Sequence, residues 1–239
     1  MDLSKSTAFV SGANRGLGKH LGDQLINRDA RVYGGARKPE TIDASAGVIP
    51  VQLDITDPAS VTAAAAAAPD TTLLINNAGV LTPTSLLTGD LPDISAEFGT
   101  NFYGTLAMVR AFAGPIEGNG GGSILNVLSI LSWLTLPIAG AYSSAKTASW
   151  SMTNALRLEL APKNIRVSAL YVAYMDTDMT KGFDLDVPTL DPADIASLAL
   201  DGIATDEYEI IADDLSRQAQ AGLADGVAAL YPDLPEKAA

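Results

Sequence analysis

The run Thr7-Ala8-Phe9-Val10-Ser11-Gly12-Ala13-Asn14-Arg15-Gly16-Leu17-Gly18-Lys19 joins a short apolar, β-prone segment to a helix-like one through three closely spaced glycines. Glycine permits a tight turn and a close backbone approach. The free N–H groups and the positive dipole end of the following helix attract an anion such as a pyrophosphate. The spacing is Gly-x-x-x-Gly-x-Gly; the alternative Gly-x-Gly-x-x-Gly form fails because Leu21 stands at its third position. A glycine turn is a weak signal alone, but its place between the first strand and the first helix is the context in which such a turn cradles phosphate.

About twenty residues further on, where an acidic side chain would hold a ribose 2′-hydroxyl, the second strand ends in Gly34-Gly35-Ala36-Arg37-Lys38. The acid is missing. Small residues followed by Arg37 leave room for a 2′-phosphate and supply a guanidinium to pair with it, and Arg15 could reach the same group. The sequence therefore favours NADP over NAD. Seven of the fifteen basic residues lie between Lys5 and Lys38, and 39–109 contains none, so an acidic chain keeps a local cationic site.

Outward from that turn, β-prone runs at 7–10, 30–33, 48–53, 72–75, 123–128, 165–171 and 209–212 alternate with helical stretches at 16–28, 57–68, 93–114, 140–162, 192–204 and 214–230. Strands apolar along their whole length, separated by helices, indicate a parallel sheet covered on both faces. The expected fold is one doubly wound α/β Rossmann-type domain over 1–239, with seven parallel strands. The six alanines at 63–68 read as helix with small side chains against the sheet. Gly114 to Gly122 reads as a break between helix and strand.

Composition narrows the function. The chain of 239 residues carries a net charge of −13, which argues against nucleic acid or an anionic membrane as partner. Cysteine is absent and His20 is the single histidine, so thiol nucleophiles, disulfides and cysteine or multi-histidine metal sites are excluded. No metal is expected. The start of the chain lacks the features of a signal peptide and no apolar run reaches the ~20 residues of a membrane span, so a cytoplasmic protein is expected. Proton chemistry must come from Tyr, Lys, Asp, Glu or His20, and His20 sits on the helix that faces phosphate, away from any reacting end.

Tyr142 and Lys146 stand at i and i+4 of a helical segment, on one face a turn apart. An ammonium beside a phenol is expected to favour phenolate and lower its pKa from about 10. Such pairs are also ordinary on solvated helix faces.

Taken together, the Gly12, Gly16, Gly18 turn, Asn76-Asn77-Ala78-Gly79 after the fourth strand, Asn101 in Thr100-Asn101-Phe102-Tyr103-Gly104, Ser129 after Asn126-Val127-Leu128, and the Tyr142/Lys146 pair make a chain that resembles the short-chain dehydrogenase/reductases of the single-domain type over about 5–212. The resemblance implies that Tyr142 is general acid in carbonyl reduction and base in alcohol oxidation, and that Lys146 tunes it while bonding the nicotinamide ribose. It implies that Ser129 holds the substrate oxygen and Asn101 anchors a water in the proton relay. Ser132, Ser143 and Ser144 stand at the wrong offsets and read as structural.

For the cofactor, the resemblance adds Asn14, Leu17, Asp54 and Ile55 around the turn and adenine, Asn77, Ala78 and Gly79 beneath the adenosine ribose, and Met175 and Thr177 at the carboxamide. Asn76 reads as a support of the central sheet. Val172-Ala173 replaces the family's usual Pro-Gly. Trp133, Leu134, Leu136, Tyr174, Met179 and Phe183 fall where the family keeps its substrate pocket and a lid, here about 176–190; an apolar ketone, aldehyde or secondary alcohol is expected, although the same residues read equally as core or subunit packing. The resemblance further implies a homotetramer or homodimer. The rival from another class is a non-catalytic NADP(H)-binding sensor or scaffold. A sugar-nucleotide epimerase needs a large C-terminal domain and a differently spaced turn.

Overall fold

The structure, a computed structural model, describes residues 1–181, 189–232 and 234. Seven strands, β1 (Thr7–Ser11), β2 (Arg31–Ala36), β3 (Ile49–Gln52), β4 (Leu73–Asn76), β5 (Gly122–Val127), β6 (Ile165–Tyr171) and β7 (Glu209–Ile211), form one sheet in the order β3-β2-β1-β4-β5-β6-β7. Every adjacent pair is parallel. The connections are α1 (Gly16–Ile26), α2 (Pro58–Ala67), α3 (Leu91–Phe98), α4 (Thr105–Gly118), α5 (Gly140–Leu160) and α6 (Pro192–Ala204), with α7 (Asp214–Gly222) and α8 (Val227–Leu230) after β7.

Strand residues alternate between two buried layers, as a period of two requires. Ala8, Val10, Val32, Ile75 and Leu170 pack with Leu21 and Leu25 of α1 and Ile195 and Ala199 of α6. Phe9, Tyr33, Leu74, Ile124 and Val167 point to the other side, against Val61 and Ala64 of α2, Met108 and Phe112 of α4, and Met152 and Leu156 of α5. The alanine run supplies Ala64, Ala65 and Ala68 to this second layer.

Two helical stretches differ from expectation. The 93–114 stretch is α3, a π-helical stretch Gly99–Gly104, and then α4. Helix α4 continues through Pro115 to Gly118, held by Ile116, which is fully buried on the sheet. The 214–230 stretch is cut at Gly226, whose φ of +82° ends one helix and starts the next.

The strand order reverses between β1 and β4, so the segments leaving their carboxyl ends diverge and open a crevice. The turn at Gly12 and the stretch Asn77 to Gly79 form its two lips, and β5, α5 and the end of β6 extend it sideways.

Candidate active site

The glycine turn is built from backbone conformations that side chains resist: Gly12 has φ +69° and Gly16 φ +51°. It is pinned to β2 by bonds from the N–H groups of Gly12 and Ala13 to the Gly35 carbonyl, at 2.8 and 3.1 Å. The Asn77 amide donates to the carbonyls of Ser11 and Gly12, stapling β4 to the turn. A Cβ at Gly18 would lie 2.1 Å from the Gly12 oxygen, so glycine there lets α1 pack directly beneath the turn. Helix α1 begins with no capping side chain and no acid in its first turn. Its first N–H groups are therefore free to hold an anion.

Above this turn lies a cleft of about 1340 Å³. Of the residues expected to bind cofactor or do chemistry, all but Gly18 line it, including Gly12, Asn14, Arg15, Gly16, Leu17, Arg37, Asp54, Ile55, Asn77, Ala78, Gly79, Met175 and Thr177. Gly18 sits behind the turn, where it acts through packing. Arg37 is exposed and makes no ion pair among the described residues, while Arg15 lies 3.4 Å from Asp178. The Asp54 carboxyl is held below its usual range by bonds from the Thr56 hydroxyl and N–H. Thr177 packs over Gly16. His20 does not line the cleft.

At the other end of the cleft stand Ser129, Tyr142, Lys146 and Asn101. Ser129 follows β5 and caps a single 3-10 turn: its hydroxyl accepts from the Leu131 N–H at 3.1 Å, and Ser132 accepts in turn from the Ser129 N–H. The neighbouring backbone is fixed by bonds from Leu128 to the Leu170 carbonyl and from Ile130 to the Val172 carbonyl. Ser143 is bonded to the Ala139 carbonyl and buried, consistent with a helix-internal role.

Tyr142 and Lys146 lie on one face of α5, both 7% exposed, with the ammonium 5.6 Å from the phenol ring centre. The lysine does not lower the phenol's pKa here. Burial pushes Tyr142 up, the nearby Ser129 hydroxyl works in the opposite direction, and the negative charge of Glu97 adds to the rise. Burial also pulls Lys146 down to about 8, with Glu97 opposing it, and the ammonium bonds the Val127 carbonyl at 2.9 Å. Desolvation, the largest cause, gives a direction opposite to the one the i,i+4 spacing leads one to expect. A neutral phenol is the form that can donate a proton.

Asn101 lies in the π-helical stretch, a frequent feature of functional sites. Its side chain both donates to and accepts from the backbone of Val80 and donates to Glu97. Its carbonyl accepts from the Thr105 and Ser149 hydroxyls. Ser149 has the Ala145 carbonyl as a second acceptor, also at 2.9 Å. Asn76 reaches sideways to Asn126, at 2.9 Å, within the sheet.

The substitution Val172-Ala173 is accommodated by the chain after β7. Val172 is buried, and the Ala173 N–H donates to Asp213, which also caps α7 through the Ser216 N–H. Asp213→Ala removes both acceptors and is expected to cost about 1–3 kcal/mol, read as a lower midpoint in urea unfolding with an unchanged slope.

Of the expected pocket residues, Leu136, Tyr174 and Met179 line the cleft. Trp133 does not: it is 6% exposed and stacks on Tyr171 with ring centres 4.1 Å apart, in a buried cluster that also holds Ala219 of α7. Leu134 packs partly against the same cluster. Phe183 and residues 182–188 of the expected lid lie outside the described residues. Among the described residues no carboxylate or histidine cluster could hold a metal, and no helix is long and apolar enough to cross a membrane.

The short chain dehydrogenase family profile matches residues 6–187, and the chain belongs to that family of nicotinamide-dependent oxidoreductases. Among solved structures, a short chain dehydrogenase from Burkholderia cenocepacia in complex with NADP is 36% identical, with a TM-score of 0.92 over 99% of this chain and 100% of that one. The 1-deoxy-11-beta-hydroxypentalenate dehydrogenase of Streptomyces avermitilis is 32% identical over 76% of this chain and 73% of its own length. The NADPH-dependent 1-acyldihydroxyacetone phosphate reductase of Schizosaccharomyces pombe is 29% identical over 74% of this chain, which spans 62% of that relative.

Proposed function

We propose that the protein is an NADP(H)-dependent reductase of apolar ketones or aldehydes, running in reverse on the corresponding alcohols. The observation that carries this reading is the shared cleft, with an anion cradle and Arg37 at one end and Ser129, Tyr142 and Lys146 at the other. The glycine turn fits the cofactor, because only a backbone without Cβ atoms leaves α1 this close beneath it. When bound, the cofactor supplies hydride.

The protein's part is binding, orientation and proton delivery. Ser129 is positioned to bond the carbonyl oxygen, and Tyr142 to donate the proton to that oxygen as charge develops on it. Lys146 holds its charge one helical turn away and has bonding capacity left for a ribose hydroxyl. The substrate end is bordered by Leu81, Leu131, Leu136, Ile138, Tyr174 and Met179, which suits an apolar group beside the reacting carbon. Association of copies through the π-helical stretch before α4 and through α5, where Tyr103 and Leu158 are exposed, belongs to the same reading, as does a cytoplasmic location.

The test is a panel of ketones and aldehydes assayed with NADPH and NADH on the native protein and on Arg37→Ala. Loss of one charge-assisted pair is expected to raise the Kd for NADPH at least about tenfold and leave NADH nearly unchanged. Equal losses for both dinucleotides would remove the 2′-phosphate contact. NADPH binding without turnover of any carbonyl would count against an enzyme.

A further inference from the structure

We propose that Glu97 is a positioning residue of the proton relay: its buried carboxylate aims the Asn101 amide and is the counter-charge of Lys146. The inference rests on the catalytic reading of the Tyr142 and Lys146 site.

The starting observation is that α3 buries the wrong residue. Leu91 at its start is 76% exposed, Ile94 and Phe98 are half-buried, and the helix's single buried residue is its glutamate, at 0% exposure. An isolated buried carboxylate costs several kcal/mol, so a glutamate turned inward in preference to leucine needs partners. It has them on two sides. One carboxylate oxygen accepts from the Thr82 N–H and the other from the Asn101 amide at 2.7 Å.

Those two donors leave no freedom for a neutral substitute. The Asn101 amide cannot flip, because its oxygen accepts from the Val80 N–H and its nitrogen donates to the Val80 carbonyl. Two fixed donors therefore converge on residue 97 and require two acceptor oxygens. An ionised carboxylate provides both, whereas a glutamine would turn an N–H₂ group onto one of the donors.

The same group reaches the catalytic end. At Gly79 an added Cβ would lie 2.9 Å from the Asn101 side-chain oxygen and 3.9 Å from the Lys146 nitrogen, so amide and ammonium face each other across a single glycine. Glu97, Asn101, Gly79 and Lys146 thus form a continuous line from α3 to α5, in which Glu97, Asn101 and Lys146 are buried and Gly79 forms part of the cleft wall. Lys146 is otherwise faced by Tyr142 on its own helix and by the Val127 carbonyl and Ser129 from the β5 side. The remaining titratable or charged side chains lining the cleft are Arg15, Arg37, Asp54, Tyr174 and Asp178. Glu97 in turn is faced by Thr82 from the loop after β4, by the Asn101 amide, and by the charge of Lys146 from α5. Burial raises the Glu97 pKa and pulls Lys146 down, while each partner's charge opposes the other's shift, as expected of a buried acid and a buried base close to one another.

The experiment is a pH titration of the full chain, free of cofactor, labelled with 13C at lysine Cε, with the Lys146 signal assigned from Lys146→Met. In Glu97→Gln the Lys146 midpoint is expected to fall by roughly one pH unit, and Glu97→Asp, which keeps the charge, is expected to restore most of it. A midpoint that is the same in the native protein and Glu97→Gln overturns the proposal, as does a Glu97→Asp midpoint equal to that of Glu97→Gln. If Glu97→Gln does not fold, the native protein carries the test. One glutamate carboxyl should titrate above the usual range, and the Lys146 signal should show an inflection at the same pH; without that shared inflection the proposal fails. The titration needs no substrate. Its failure leaves the reductase reading intact, and failure of the carbonyl panel leaves the titration intact.

Discussion

Tyr142→Phe is expected to lower kcat/KM for any ketone the protein reduces by about a thousandfold, within the 10²–10⁴ that a positioned general acid contributes. The change deletes one oxygen from a ring that is 7% exposed and leaves the ring's packing against Leu128, Leu131 and Ala139 in place. The removed hydroxyl is one that burial keeps neutral, and Ser129 keeps its bond from the Leu131 N–H. Thermal stability and NADPH affinity should therefore stay close to the native values while turnover collapses. Steady-state rates, a melting curve and a fluorescence titration on one preparation separate these quantities. Turnover within tenfold of native would mean that another group donates the proton.

Gly18→Ala should produce the opposite pattern, with chemistry lost through binding. A Cβ there would stand 2.1 Å from the Gly12 oxygen and 2.4 Å from the Asn77 amide nitrogen, both parts of the staple that shapes the turn. Neither neighbour can yield: the oxygen belongs to the backbone, and the amide is held by two carbonyls. Helix α1 must move or the turn must open. Overpacking of this kind costs about 1–3 kcal/mol, which as cofactor affinity is roughly a tenfold to hundredfold rise in Kd for NADPH. Gly114→Ala is the control. It lies in α4 with open space where its Cβ would stand, and should be neutral or slightly stabilising. Calorimetric titration of NADPH into both variants checks the contrast, and equal affinities would show that the close approach at Gly18 does not shape the anion cradle.

The features legible in the sequence were those that depend on local pattern. Strands such as Thr7–Ser11 and Ile165–Tyr171 are buried on both faces because helices cover both sides of a parallel sheet, and their alternation with helical segments made that arrangement legible. The glycine turn was legible because Gly12 and Gly16 adopt positive φ, a requirement written in the residue type itself. The segments that came out differently depend on distant partners. Trp133 looks like a pocket residue until Tyr171, from another strand, stacks on it. The continuation through Pro115 was decided by Ile116 packing on the sheet, far away in the chain, whereas the break at Gly226 follows from that residue's own positive φ.

Within the site, the residue types were readable and their electrostatics were not. The i,i+4 spacing placed Lys146 beside Tyr142 correctly, yet the direction of the phenol's shift depends on depth of burial, which spacing does not encode. The sequence does not single out Glu97, because an acid in a short helix ordinarily faces water. The one available signal was its position four residues before Asn101, on the same helical face. Val127 offers Lys146 a backbone carbonyl, a contact that no residue type announces.

In the proposed reaction Tyr142 protonates the carbonyl oxygen, and the cofactor, when bound in the same cleft, would supply hydride to the adjacent carbon. The most direct measurement uses NADPH deuterated at the transferable ring position, incubated with the carbonyl panel, followed by mass spectrometry of the alcohols formed. The expected result is one deuterium on the carbinol carbon with the native protein and almost no labelled alcohol with Tyr142→Phe. Label that never reaches any alcohol, or that reaches it equally in both proteins, would contradict it.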